Sequence, residues 1–92
     1  MRPSLGKKVY CIYENSISLV EVYAIGKESF IISTFGPDTF SDSWEHYFED
    51  YGKTWFSSLA KAKKQLIKNI QEVYPADKVK VVQHGKDYWE AE

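Results

Sequence analysis

The architecture of this chain is decided by thirteen residues near its middle, Asp50-Tyr51-Gly52-Lys53-Thr54-Trp55-Phe56-Ser57-Ser58-Leu59-Ala60-Lys61-Ala62. The residues around Gly52 predict a turn, because glycine adopts the backbone angles that tight turns need. The triplet from Thr54 to Phe56 has high β propensity and predicts a short strand. Ser58 then occupies the position at which helices are usually capped. The stretch therefore predicts a turn, a strand and a helix start in direct succession.

The helix that follows is the clearest element of the sequence. Its apolar residues recur three and four positions apart and form one stripe along the helix, namely Leu59, Ala62, Leu66, Ile67, Ile70, Val73 and Tyr74. Ser58 is the predicted N-cap. Pro75 ends the helix, because the residue before a proline is pushed out of helical geometry. Lysines occupy the exposed flank, at Lys61, Lys64 and Lys68.

The residues before the turn predict strands joined by hairpins. Residues 7–14 alternate and are apolar on both faces, 17–25 form a second strand, and 30–35 form a third after a loop at 26–29. Residues 39–49 favour a fourth strand, and a helical turn beginning at Ser41 or Asp42 is the alternative. The strand at 54–56 is expected to continue or pair with this fourth strand.

These elements predict an α+β fold, an antiparallel sheet of four to five strands with one amphipathic helix packed on one face. A last strand over residues 78–83 would return to an edge of the sheet. A chain of 92 residues buries only about 60–65% of its unfolded surface, which favours a single domain with one core. Residues 1–6 and 85–92 are expected to be loose termini.

Composition narrows the class of protein. The net charge of −1 makes direct nucleic-acid binding unfavourable over the whole surface, since such domains usually have a basic excess. Cys11 is the only cysteine, so no internal disulfide can form, which fits a reducing compartment. The first eight residues do not resemble a signal peptide, and no apolar run has the length of about 20 residues that a membrane span needs. We therefore expect a cytoplasmic protein with no membrane partner.

The sequence predicts no enzyme active site. Cys11 lies in the middle of a predicted strand, where cysteine usually acts as a small hydrophobic residue. The Gly52-Lys53-Thr54 triplet is like the end of a phosphate-binding loop, but the first glycine of that motif would fall on Tyr47. We therefore expect a protein that is not an enzyme and needs no cofactor.

A zinc site or a nuclease-like metal site is the alternative hypothesis. Asp42, His46 and Asp50 are spaced four apart, so a helix there would place them on one face. A zinc site needs about four nitrogen, sulfur or oxygen ligands, and the histidines and the cysteine are scattered singly along the chain.

Aromatic and acidic residues are concentrated in one window. Residues 40–56 contain seven of the fifteen aromatic residues, and five acids with no lysine or arginine lie between Asp38 and Asp50. One helix covers one face of a sheet, so some of these rings should stay exposed beside carboxylates, as at the centre and rim of a protein interface. The alternative is a solvated acidic face. The predicted partner-binding residues are Asp42, Trp44, Glu45, Tyr47, Glu49, Asp50 and Tyr51.

Two further surfaces remain as alternatives. Lys61, Lys63, Lys64 and Lys68 would serve a nucleic-acid-binding domain. Tyr88 and Trp89 are a second aromatic candidate, unless the tail folds back on the sheet.

The chain resembles small uncharacterised proteins of phages, prophages and plasmids of Gram-positive bacteria. These proteins share a strand-to-helix motif of the form D-x-G-K-T-x-F-x-[ST]-x-x-x-A. The residues of this chain that match are Val9, Tyr10, Ile17, Val22 and Ile25, followed by Asp50, Gly52, Lys53, Thr54, Phe56, Ser58 and Ala62. A departure is Lys61, since the pattern often has a glutamate there that completes a capping box.

The resemblance implies an accessory protein of a mobile element, located in the cytoplasm of a bacterial host. Such proteins include inhibitors of host defence nucleases, among them anti-CRISPR proteins that block Cas9. The channels of Cas9 are strongly basic because they hold nucleic acid. An acidic, aromatic surface on this chain would complement such a host protein.

Overall fold

The computed structural model describes residues 2–33, 43–75 and 78–92. It confirms the predicted fold class, a small α+β fold in which one helix packs against an antiparallel, curled sheet. The strands within the described residues are β1 (Lys8–Tyr13), β2 (Ser16–Ile25), β3 (Ser29–Ser33), β4 (Ser43–Tyr47), β5 (Trp55–Phe56), β6 (Val81–Gly85) and β7 (Tyr88–Ala91). The helix α1 spans Leu59–Val73, and a short 3₁₀ turn spans Phe48–Asp50.

Strand β2 is the centre of the sheet. The strand order is β4-β3-β2-β1-β5, and the hairpin of β6 and β7 joins through pairing of β7 with the first part of β2. The strand has ten residues, which is long enough for β7 and β3 to pair in turn along the edge that β1 leaves free. The two-residue turn from β1 falls at Glu14 and Asn15, one position earlier than predicted, and Glu14 adopts a left-handed φ of 53°.

The sheet separates two hydrophobic clusters, so the prediction of one core is wrong. The first cluster fills the inner, concave side of the sheet and contains Val9, Cys11, Val20, Val22, Phe30, Ile32 and Trp55. The second lies on the outer side under α1 and contains Ile17, Phe56, Ala62, Leu66 and Trp89. Because side chains alternate along a strand, β1 supplies both clusters, with Val9 and Cys11 to the first and Tyr10 and Ile12 to the second.

The inner cluster is centred on Trp55, which is fully buried. Its ring makes an edge contact with Phe30 at 4.9 Å between centroids. Its indole N–H donates to the backbone carbonyl of Tyr47 at 2.8 Å, which links β5 to the end of β4. A buried indole needs such an acceptor, and this bond helps to hold the curled sheet closed.

Strand β5 corrects one prediction of the sequence analysis. It pairs with β1, through Cys11 opposite Trp55 and Tyr10 opposite Phe56, and does not extend β4. The predicted fourth strand is confirmed at Ser43–Tyr47, and the chain then makes the 3₁₀ turn before it crosses to the opposite edge. The sheet curls, so the last residues of β4 and the residues of β5 come together through side chains.

The helix begins and ends as predicted. Ser58 is the N-cap, although its side chain makes no capping hydrogen bond, and the C-cap residue Tyr74 precedes Pro75. Ala62 and Leu66 are buried against the sheet, whereas Val73 is 68% exposed. The apolar stripe that touches the sheet therefore reaches Ile70 and does not include Val73.

Both termini are held against the sheet, so the prediction that they are loose is wrong. At the start, the Gly6 N–H donates to the Val22 carbonyl at 3.0 Å, and Pro3 is buried. At the end, β7 pairs with both β2 and β6, and Trp89 is buried in the outer cluster. Trp89 supplies enough apolar area to hold this segment in place. The predicted last strand lies slightly later than expected, at Val81–Gly85.

Candidate functional site

The pairing of β3 with β4 creates the exposed surface of greatest interest. Ile31 lies opposite Glu45, and Ser29 lies opposite Tyr47. These side chains point outward, because their neighbours along the strands point into the inner cluster. The clearest of those neighbours is Phe30, which is fully buried. One face of this hairpin therefore closes the core, and the other presents an aromatic, an aliphatic and an acidic side chain together.

The 3₁₀ turn extends this surface at the end of β4. The backbone N–H of Phe48 donates to the carbonyl of Glu28 at 3.0 Å, which joins the turn to the loop between β2 and β3. A cleft of about 300 Å³ opens there, lined by Arg2, Glu28, Tyr47, Phe48 and Glu49. The Arg2 guanidinium lies 4.9 Å from the centre of the Phe48 ring, a cation–π contact.

We call Glu28, Ile31, Glu45, Tyr47 and Glu49 the acidic-aromatic surface. Tyr47 is 44% exposed and Ile31 is 36% exposed. Within the described parts of the chain, no lysine or arginine nitrogen lies within 4.0 Å of the three carboxylates. The Ser29 hydroxyl donates to the Glu45 carboxylate at 2.6 Å. The surface therefore combines apolar area with carboxylates that form no ion pair with the described lysines and arginines.

The inner side of the same hairpin packs into the core. The His46 ring stacks on Phe30 at 5.8 Å, and its Nδ1 lies 3.2 Å from the Thr54 hydroxyl oxygen. Burial lowers the pKa of His46 below its usual value, and the nearby charge of Asp50 partly opposes this effect. The imidazole is therefore held neutral at physiological pH. Its packing fixes the backbone from which Glu45 and Tyr47 project.

The structure places the predicted partner-binding residues in different parts of the molecule. Asp42 lies outside the described residues, and Trp44 is described only as a backbone position of β4, opposite Ile32. Asp50 is half-buried at the end of the 3₁₀ turn, and its carbonyl accepts bonds from the next turn of the chain. Tyr51 lies on a different surface, against α1. Of the predicted residues whose side chains the structure describes, Glu45, Tyr47 and Glu49 are brought together.

Tyr51 forms one wall of a second feature, which we call the lysine groove. The groove has a volume of about 370 Å³. Its other wall is the exposed flank of α1, with Lys61, Lys64 and Lys68. The Tyr51 hydroxyl lies 2.7 Å from the Ser57 hydroxyl, and its ring packs on Trp55 with centroids 4.7 Å apart. The aromatic wall is thus fixed in position.

The proposed metal ligands gain no support from the geometry. His46 lies on a strand and not on a helix, so the four-residue spacing does not place it on a common face with Asp50. The residues that the structure describes contain no group of three or more histidine, cysteine, aspartate or glutamate side chains arranged to bind a metal ion. Asp42 lies outside them.

The chemistry of Cys11 is that of a core residue. It is buried in the inner cluster, and desolvation raises the pKa of its thiol to about 12. A thiol with such a pKa stays protonated at neutral pH and is a poor nucleophile.

Sequence analysis missed two members of the acidic-aromatic surface, Glu28 and Ile31. Glu28 lies in the predicted loop, and only the register of the β3–β4 hairpin brings Ile31 beside Glu45.

The second aromatic candidate, in the tail, consists of one buried and one partly exposed residue. Trp89 is buried, with its ring 5.8 Å from that of Tyr10, and Tyr88 is partly exposed, with its hydroxyl donating to Glu90. That hydrogen bond raises the pKa of Tyr88.

The chain matches no protein-family model, and comparisons with curated proteins and with solved structures give no match. In the part of the chain that the structure describes, no helix has the length and apolar character needed to cross a membrane.

Proposed function

We propose that this protein is a non-enzymatic binding module whose acidic-aromatic surface docks on a basic partner protein. The main observation in support is the outward cluster of Tyr47 and Ile31 beside three carboxylates that form no ion pair with any described residue. An exposed aromatic ring supplies apolar contact area at a low cost in side-chain entropy, and tyrosine is enriched among residues that dominate binding energy. The carboxylates favour a partner of opposite charge and speed association with it.

The partner chemistry follows from the charge of the region. Residues 28–33 and 43–50 contain four acids and no lysine or arginine. A partner surface rich in arginine or lysine would complement this region, and an acidic partner would be repelled. Arg2 lies in the same cleft as Glu28 and Glu49, where its guanidinium is over the Phe48 ring, so the cleft itself contains one positive charge beside two carboxylates.

A narrower form of the proposal names the class of partner. Nucleases that handle nucleic acid have strongly basic channels, and the resemblance to mobile-element proteins points to a host defence nuclease such as Cas9. In this form the protein occupies part of a basic channel and thereby inhibits cleavage. This would make it an anti-CRISPR protein acting in the cytoplasm of a bacterial host.

The narrow proposal is tested with purified Cas9, prepared with and without guide RNA. The protein should bind the guide-free form more tightly, because guide RNA neutralises the basic channel, and it should reduce DNA cleavage when added before the guide. Binding that is unaffected by the guide, or unchanged cleavage at saturating protein, would reject Cas9 as the partner.

The broader proposal is tested with an arginine-rich peptide and paired variants. Tyr47→Ala should weaken peptide binding about tenfold or more, since aromatic anchors dominate interface energies. The matched control is Tyr74→Ala, which removes another exposed tyrosine and should leave binding unchanged. The double variant Glu45→Lys, Glu49→Lys should reduce the association rate. The control double variant Glu14→Lys, Glu72→Lys makes the same change of charge elsewhere and should have little effect.

A further inference from the structure

The lysine groove is separate from the acidic-aromatic surface and has the opposite charge. Lys61, Lys64 and Lys68 follow each other at spacings of three and four along α1, so they project from one flank of the helix. A rise of about 1.5 Å per residue spreads the three over about 10 Å. The groove therefore presents a row of positive charges and not a single point charge.

These charges form no ion pair with the described residues. Among residues 2–33, 43–75 and 78–92, no carboxylate lies within 4.0 Å of the three amines. The first turn of α1 contains no acid, and the first acid of the helix is Glu72. Lys61 lies near the helix N-terminus, where the backbone dipole is already positive and a lysine is unfavourable for the helix. The local potential therefore favours an anionic ligand.

The opposite wall of the groove is suited to a flat ligand group. The Tyr51 ring is held by its contact with Trp55 and by its hydroxyl contact with Ser57. Gly52 beside it has a φ of 87°, and open space surrounds the position that a side chain would occupy. A held aromatic ring that lines a groove is a platform on which a base can stack.

We propose that the lysine groove binds single-stranded nucleic acid, with the three lysines contacting successive phosphates and Tyr51 supporting a base. A positively charged groove with an aromatic ring is the arrangement that binds single strands without sequence preference. An acidic peptide would use the lysines but would leave the aromatic wall unused. The net charge of −1 means that the protein as a whole does not attract nucleic acid, so such binding depends on a local cluster of positive charge. The inference is independent of the proposed function.

The first experiment measures fluorescence anisotropy of a labelled oligothymidylate of about 12 nucleotides, a length within the site sizes known for single-strand binders. Three phosphate contacts give a slope of about −2 for log K against log salt, so binding should weaken about 20-fold between about 50 and about 200 mM salt. The triple variant Lys61→Gln, Lys64→Gln, Lys68→Gln should lose this salt-dependent binding. The control Lys78→Gln, Lys80→Gln, Lys86→Gln removes the same charge from exposed positions elsewhere and should retain it.

The second experiment tests the base contact with the unmodified protein. An abasic oligomer of the same length should bind more weakly than oligothymidylate, because it has phosphates but nothing to stack on Tyr51. Polyglutamate and a duplex of equal length should compete less well than the single strand. The proposal is overturned by absent binding at low salt, by equal losses in the two triple variants, or by equal affinity for the abasic oligomer, polyglutamate or the duplex.

Discussion

The outer side of the sheet consists of two halves that differ in what covers them. In the covered half, Tyr10, Ile12, Ile17 and Leu19 project from β1 and the first part of β2, and they pack under α1 and β7. In the uncovered half, exposed apolar residues alternate with acids, and these residues are Glu21, Tyr23, Ile31, Glu45 and Tyr47. The helix packs against β1, β2 and β5.

The different residues of the two halves explain why the helix packs on one of them. Adjacent apolar side chains on neighbouring strands form a continuous patch that gains free energy when it is buried. A patch that contains Glu21 and Glu45 would have to bury carboxylates, which costs free energy unless they are paired. The covered half is therefore required for the fold. The uncovered half is left free, and mutations there should affect binding more than stability.

Among these predictions, mutation of the covered half should lower the free energy of unfolding most. Leu66 is fully buried at the centre of the contact between helix and sheet, so Leu66→Ala should lower the free energy of unfolding by about 2–5 kcal/mol, because it removes buried methyl groups and leaves a cavity. Urea denaturation measures this. Lys64→Ala, on the exposed flank of the same helix, is the control. A loss below about 1 kcal/mol would mean that the helix does not stabilise this half of the sheet.

The second prediction is that His46, which packs beneath the uncovered half, makes stability depend on pH. His46 has a lowered pKa in the folded protein because of burial, whereas in the unfolded chain it titrates near its usual value. The unfolded state therefore binds more protons as pH falls below the unfolded pKa. The contribution of His46 to stability is complete above that pKa and is lost as pH falls toward the folded value.

Denaturation midpoints at pH 7 and pH 5 measure the effect of His46. We expect the midpoint to fall at pH 5, and His46→Gln should reduce the dependence on pH over this interval. An identical dependence in the variant would show that the imidazole does not titrate in this buried site.

A smaller effect is expected on stability in the uncovered half. Ile31→Ala removes a side chain that is already 36% exposed, and Tyr47→Ala leaves intact the backbone carbonyl that Trp55 uses. Each should change the free energy of unfolding by about 1 kcal/mol or less, as is usual for partly exposed positions. Thermal unfolding measures this. Losses as large as that of Leu66→Ala would show that the uncovered half is also part of the core.

The smallest change in stability is expected for the N-cap of α1, the helix of the covered half. Ser58→Ala usually costs about 1 kcal/mol at a helix N-cap, but here the side chain makes no capping hydrogen bond. We expect a loss below about 0.5 kcal/mol, since only the weaker preference of the backbone remains. A loss of the full usual size would show that a capping bond forms in solution, and that packing is not the main factor that holds the helix start.

The sequence was sufficient to predict those helices and strands whose apolar residues follow a regular pattern. The helix stripe, the three first strands and the strand at 43–47 were predicted because each repeats its pattern over several residues. The pairing of β5 was wrong, since a two-residue strand does not identify its partner. The prediction of a loose tail was wrong because β7 pairs with β2 and β6, and these pairings join residues that are distant in the sequence. The apolar character of both faces of β1 indicated two clusters, although a single core was predicted.

The candidate site was predicted in part for a similar reason. Glu45 and Tyr47 share a face because strands alternate, and this follows from the sequence once β4 is accepted. Tyr51 was assigned to the same surface, but the 3₁₀ turn at Phe48–Asp50 redirects the chain and places Tyr51 against α1. The direction of such a turn depends on tertiary contacts, here the bond from Phe48 to Glu28. No local pattern reveals that bond.

Docking of the acidic-aromatic surface on a basic partner can be measured by mapping backbone amide shifts during titration with an arginine-rich peptide. We expect the largest shifts at Ile31, Glu45, Tyr47 and Glu49, and small shifts at the lysines of α1. The same titration of Tyr47→Ala should saturate at a higher peptide concentration. Shifts spread evenly over all acidic residues, or shifts centred on another surface, would contradict this proposal.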